Sequence, residues 1–192
     1  MKVLLTNDDG IDAPGLRAMA DALSDLGAVT VVAPAHNQSA VGRSLSYGRM
    51  DPDGGVAGDL GMDDPDDPFT VTLPHEDHDL GYAIHGTPCD CVILGVNSFD
   101  PDVVVSRLNP AAAHVSRLLG VPNIVFHDTE AAGAVSRVTC PFAHTVCTPA
   151  AFQGDVPGRQ VRYQGYHELA YLHPARFAPD PTPLRAAGVD PE

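Results

Sequence analysis

Lys2-Val-Leu-Leu-Thr-Asn-Asp-Asp-Gly10 is a short run rich in Val and Leu that ends at once in a turn-forming Asn-Asp-Asp-Gly, the pattern of a buried strand meeting a loop. Pro14 opens a helical stretch in which Leu16, Met19, Ala20 and Leu23 recur at helical spacing, and Gly27 stops it. Ala28–Ala33 reads as a second strand, closed by Pro34. Strand, helix and strand in that order make a right-handed crossover, the unit from which parallel sheets are built.

The alternation continues outward from this unit. Phe69–Leu73 and Tyr82–His85 read as short strands, a hairpin across the His-Glu-Asp-His-Asp loop. Gly86-Thr87-Pro88 starts a helix, with Thr87 as its N-cap and Val92, Ile93 and Val96 on one face. Asp102–Ser106 is the next strand. A helix follows Asn109-Pro110, through Ala113, Val115, Leu118 and Leu119 to Gly120, and Pro122–Phe126 is again a strand. The fold class expected is α/β: a Rossmann-like, doubly wound, mainly parallel sheet. Beyond Phe126 the signals weaken to candidate strands at His144–Cys147 and Gln160–Tyr163. The end, from Asp180-Pro-Thr-Pro onward, is proline-rich and expected to be loose, so the C-terminal part reads as truncated or atypical.

Composition narrows the function. The chain has 192 residues, enough to bury a core, and carries 25 Asp and Glu against 11 Lys and Arg, for a net charge of −14. Such a chain repels a phosphate backbone, which argues against nucleic-acid polymers as partners. No apolar run approaches the roughly 20 residues of a membrane span. The opening apolar run is too short for a signal peptide, and four cysteines do not make a disulfide scaffold, so a reducing cytoplasm is expected. The acid is uneven: residues 1–100 hold 17 acids and 4 bases, whereas residues 101–192 hold 8 and 7. The single lysine is Lys2, and Asp far outnumbers Glu. A high-salt cytoplasm, which screens self-repulsion, favours that surface.

In an open α/β sheet, ligands bind beyond the carboxyl ends of the strands. Asn7, Asp8, Asp9 and Gly10 follow the first strand, His36, Asn37, Gln38 and Ser39 the second, and Arg107, Leu108 and Asn109 the strand at Asp102–Ser106. Two carboxylates, a hydroxyl and a carboxamide thereby come to one rim from three loops, hard oxygen donors suited to Mg²⁺ or Mn²⁺. A cation held there polarises a phosphoryl oxygen, with one aspartate as nucleophile or as base for a water. The plainer reading of Asp-Asp-Gly is an ordinary turn. Cys89, Cys91, Cys140 and Cys147 lack the spacings of a zinc ribbon or finger. His75 and His78 lie in an acidic loop. Tyr163, Tyr166, His167, Glu168 and Tyr171 are either lining for a sugar-nucleotide pocket or core and rim residues. Arg43 and Arg107 are the basic residues near the rim able to meet a phosphate.

Met1-Lys-Val-Leu-Leu-Thr-Asn-Asp-Asp-Gly-Ile-Asp-Ala-Pro-Gly-Leu16, with Val-Val-Ala-Pro-Ala-His-Asn-Gln-Ser39 and Gly86-Thr-Pro-Cys-Asp-Cys-Val92, closely resembles the SurE family of 5′/3′-nucleotidases. The resemblance covers residues 1 to about 106. It implies a Rossmann-like, metal-dependent phosphatase acting on nucleoside monophosphates and assembled as a dimer or tetramer. It also implies that Asp8, Asp9, Ser39 and Asn109 hold the divalent cation, Asp8 being catalytic as well.

The chain departs from that pattern after Ser106. Arg107 stands where the family has glycine, and the family's second asparagine and Ser-Gly-Thr phosphate loop have no counterpart. Ser106–Glu130, Pro141–Pro149 and Val161–Pro174 instead resemble part of an archaeal family of unknown function that is similar to two-Rossmann, sugar-nucleotide glycosyltransferases. Two segments are therefore expected, a SurE-like core at 1–106 and a glycosyltransferase-like continuation of the sheet at 107–192. The alternatives to a nucleotidase are a sugar-nucleotide-binding fragment and an inactive chimera.

Overall fold

The structure, a computed structural model, describes residues 1–39, 73–175 and 178–188. Eight strands form one sheet: β1 (Lys2–Thr6), β2 (Ala28–Pro34), β3 (His75–His78), β4 (Gly81–Ile84), β5 (Val103–Arg107), β6 (Asn123–Phe126), β7 (Thr145–Pro149) and β8 (Gln160–Tyr163). The order across the sheet is β3-β4-β2-β1-β5-β6-β7-β8, parallel throughout except for the antiparallel β3–β4 pair. The α/β, Rossmann-like reading holds. Its helices are α1 (Pro14–Ser24), α2 (Pro88–Phe99), α3 (Pro110–Leu118), α4 (Gly133–Thr139), α5 (Leu169–Leu172) and α6 (Thr182–Ala186). Among the described residues, no helix is long and apolar enough to cross a membrane.

Strands β1 and β5 lie side by side in register, Val3 to Thr6 opposite Val103 to Ser106. Side chains alternate across the pleat, so Val3, Leu5, Val103 and Val105 pack under α1 with Leu16 and Met19. Leu4, Val104 and Val32 face the other way, against Cys91 and Val92 of α2 and Ala112 of α3. Burial on both faces explains why β1 and β5 read as continuous apolar runs rather than alternating ones. Each fully buried Val or Leu contributes about 1.5–3 kcal/mol.

The α2 start is as expected: Thr87 accepts from the Asp90 amide, and the Asp90 carboxylate accepts from the Thr87 amide, a reciprocal cap. Its buried face differs. Cys91, Val92 and Gly95 turn inward and Ile93 lies beside that face, because Gly95 lets the helix sit directly on Leu4. Helix α3 docks through Ala111, Ala112, Ala113 and Ser116, while Leu118 is 85% exposed. Small residues allow close approach there, and the leucines at the end of the helix lie on the outside.

The hairpin also differs from expectation. Phe69–Thr72 lie outside the described residues, and the first arm is His75–His78, the stretch read as a loop. It pairs along the free edge of β4, where polar side chains suit an edge strand better than apolar ones do. Beyond β6, β7 and β8 extend the same sheet in parallel, β8 at the expected Gln160–Tyr163. The proline-rich end carries the short α6 rather than loose chain alone.

Gly81 closes the hairpin at φ 151°, and a Cβ there would sit 2.2 Å from the Val31 carbonyl oxygen of β2. Gly81→Ala is expected to lower unfolding free energy by about 2 kcal/mol or more, since both the backbone angle and the β2–β4 pairing oppose it. Urea titration of the two proteins in molar salt checks this.

Candidate active site

Past Thr6 the chain turns sharply through Asn7–Gly10, where Asn7 Nδ2 donates to the Gly10 carbonyl at 2.9 Å. Gly10 adopts φ 99°, and a Cβ on it would come within 3.1 Å of the His36 backbone, so the first loop lies directly against the second. Two amides join them: Ile11 donates to the Pro34 carbonyl at 2.9 Å and Gln38 to the Asp8 carbonyl at 2.7 Å. Ser39 is thereby brought to the aspartates, its Oγ donating to Asp9 Oδ1 at 3.2 Å, while its amide donates to Asn37 Oδ1 at 2.8 Å. Burial, reinforced by the charge of Asp9, holds the Asp8 carboxyl above its usual range, against the pull of its own backbone amide and of Arg107.

The third loop leads into α3 where expected, and its asparagine takes part in that helix. Asn109 caps α3, its Oδ1 accepting from the Ala111 amide at 2.8 Å and the Ala112 amide at 3.2 Å. Its Nδ2 is buried with no hydrogen-bond partner among the described residues. Asp8, Asp9 and Ser39 are brought together, and the carboxamide oxygen of Asn109 is engaged by its own helix. Arg107 ends β5, with Nη2 2.8 Å from Asp128 Oδ2 and Nη1 3.9 Å from Asp9 Oδ2.

A cavity of about 330 Å³ opens on the α1 side of these strand ends, with Asn7, Asp9, Asn37, Arg107, Phe126 and His167 in its wall. His167 therefore lines the same cavity as Asp9 rather than a separate pocket. Burial, then the charge of Arg107, hold its imidazole below the usual range. Tyr163 is pushed up to about 12, by burial first and then by Asp128, and its hydroxyl is buried without a partner among the described residues. Asp128 is absent from the sequence expectations, although it follows β6 as Asp8 follows β1; the strand-end rule extended one strand further would have found it. Among the described residues, no three of His, Cys, Asp or Glu converge as a metal cluster, and all four cysteines are free thiols.

Residues 3–119 match the sequence pattern of the survival protein SurE, well over half of the chain. The chain belongs to the SurE family. The match runs past the expected limit at residue 106 and takes in Arg107 and Asn109. The chain is 46% identical over 134 residues to the 5′-nucleotidase SurE of Natronomonas pharaonis, covering 69% of this chain and 43% of that protein. It is 43% identical over 133 residues to that of Halobacterium salinarum, covering 68% and 42%. The crystal structure of SurE from Aquifex aeolicus superposes with a TM-score of 0.50 at 29% identity, covering 74% of this chain and 60% of that one. The chain spans less than half the length of these curated SurE relatives.

Two outcomes follow from the geometry. Asn109→Ala removes the acceptor for two amides and is expected to cost about 1–2 kcal/mol in a urea titration, whereas Asn109→Asp, which still caps, stays close to the parent. His127, 2% exposed, is held below the usual imidazole range, chiefly by burial. The unfolded chain then binds more protons as pH falls below about 6.5, so stability declines from there until the folded ring itself titrates. His127→Phe is expected to lose less stability than the parent between pH 7.5 and 5.5.

Proposed function

We propose that this chain is a SurE-type phosphomonoesterase that hydrolyses nucleoside 5′- or 3′-monophosphates with the help of Mg²⁺ or Mn²⁺. The observation that carries the reading is the half-buried Asp8–Asp9 pair at the end of β1 with Ser39 Oγ hydrogen-bonded to it, in a chain of this family. Two crowded carboxylates and a hydroxyl fit a small hard cation, which keeps waters in its remaining positions. Asp8, Asp9 and Ser39 would hold it, and it would supply polarisation of a phosphoryl oxygen. Asn109 joins them only by giving up one of the two amides it caps.

The chain's own residues account for the rest. Asp8 is positioned by the Gln38 amide on its backbone carbonyl and serves as nucleophile or as base for a water. Asn7 fixes the turn that presents both carboxylates. Phe126 and His167, with ring centres 6.1 Å apart, form a wall against which the ester group of the substrate rests. Assembly as a dimer or tetramer and work in a salty cytoplasm belong to the same proposal, the latter supported by the net charge of −14.

Phosphate release from a panel of nucleoside monophosphates, in molar salt with Mn²⁺, tests this beside an EDTA control and Asp8→Asn. Turnover is expected with Mn²⁺, none with EDTA, and a fall of about 100-fold or more in Asp8→Asn. Absence of turnover from the folded parent, or turnover that survives both treatments, overturns the reading. Calorimetry supplies a second check: Asp8→Asn and Asp9→Asn are both expected to weaken Mn²⁺ binding.

A further inference from the structure

The strand alternation that buries Val103 and Val105 under α1 carries the next odd position, Arg107, out to the same face, where the cavity opens. Its side chain is 38% exposed and therefore open to a ligand, whereas the Asp128 side chain opposite it is 7% exposed. A carboxylate so enclosed, 2.8 Å from Nη2, holds the guanidinium in one place. Among the described residues this is the hydrogen bond that Arg107 makes; its Nη1 lies 3.9 Å from Asp9, too far for another. The guanidinium thus lies in the cavity wall between Asp9 and Asp128, with donors beyond the Asp128 bond. A phosphoester that enters this cavity beside Asp9 meets Arg107. Among the described residues, no other lysine or arginine lines the cavity.

From this arrangement, and resting on the phosphatase reading above, we propose that Arg107 binds the substrate's phosphoryl oxygens and that Asp128 is the positioning residue that aims it. A guanidinium fork suits two oxygens of a phosphate dianion, and fixing it beforehand removes the entropy cost of ordering a long side chain on binding. Asp128 and His167 lie outside the residues matched to SurE, so this wall of the cavity comes from the chain's own continuation. The competing account makes Arg107 a structural ion pair that balances Asp9 and Asp128 and touches no substrate.

Arg107→Ala, Arg107→Lys and Asp128→Asn separate the two accounts. Three readouts are taken with Mg²⁺ present: KM and kcat for a nucleoside monophosphate, inhibition by inorganic phosphate, and the shift in melting temperature that inorganic phosphate causes. Circular dichroism and calorimetric Mn²⁺ binding confirm that each variant is folded and keeps its metal site. Arg107→Ala is expected to raise KM and the phosphate inhibition constant about 10- to 100-fold and to lose most of the phosphate-induced shift. Arg107→Lys keeps the charge without the fork and falls between the parent and Arg107→Ala. Asp128→Asn raises KM by less than Arg107→Ala does. A folded Arg107→Ala with parental KM and parental phosphate shift overturns the proposal, as does a parent that phosphate does not stabilise. A parent that shows the Arg107-dependent shift but no turnover upholds the anion site and overturns the phosphatase reading instead.

Discussion

Burial of β1 on both faces, in the middle of the sheet and in register with β5, is the constraint on which the remaining structure depends. A strand so enclosed satisfies its backbone through two parallel neighbours and can take no other register without exposing Leu4 or Leu5. The point at which it stops is therefore fixed, and so is the position of the turn after Thr6. The aspartates, Ser39 and Asp128 sit a few residues past strand ends, and Arg107 at one, whose heights that pairing sets. Were β1 shifted by one residue, Leu4 and Leu5 would exchange faces and the aspartates would fall out of line with Ser39 and Arg107.

Electrostatics at the rim follow from that convergence. Asp8 and Asp9 are neighbours in a half-buried turn, where burial and then the charge of Asp9 disfavour the charge of Asp8. Arg107 is drawn toward them but held by Asp128, whose carboxylate is the more enclosed partner. One side of the cavity thus carries the negative charge of Asp9 and the other the positive charge of Arg107, the asymmetry on which the proposed phosphomonoester and metal ion rely. His167, kept neutral by burial and by Arg107, adds an aromatic surface without adding to the charge.

Much of this was legible from residue types. The strand at Lys2–Thr6 and the cap at Thr87 each combine a strong local preference with a clear stop, and they appear where expected, as does the weaker candidate strand at Gln160–Tyr163. The edge strand β3 was misread because exposed edges take polar residues and so resemble loops. Helix α3 appears where expected, but its docking face is alanine, whose small size matters only once a partner surface is present. Asn109 shows the same limit within the site. Its residue type suits a metal ligand and a helix cap equally, and only the position of the α3 amides shows which group its oxygen serves.

The sequence by itself determined the α/β class, the rim on which the chemistry sits and the pairing of Asp8 with Asp9, because periodicity, turn residues and neighbouring carboxylates are local properties. Only the tertiary structure decided that Arg107 is held by Asp128 across 21 residues, that His167 shares a cavity with Asp9, and that β7 and β8 continue the same sheet. These are contacts between segments far apart in the chain. Their formation depends on strand order and on which face of the sheet each residue takes, and neither is encoded in any single stretch of residues.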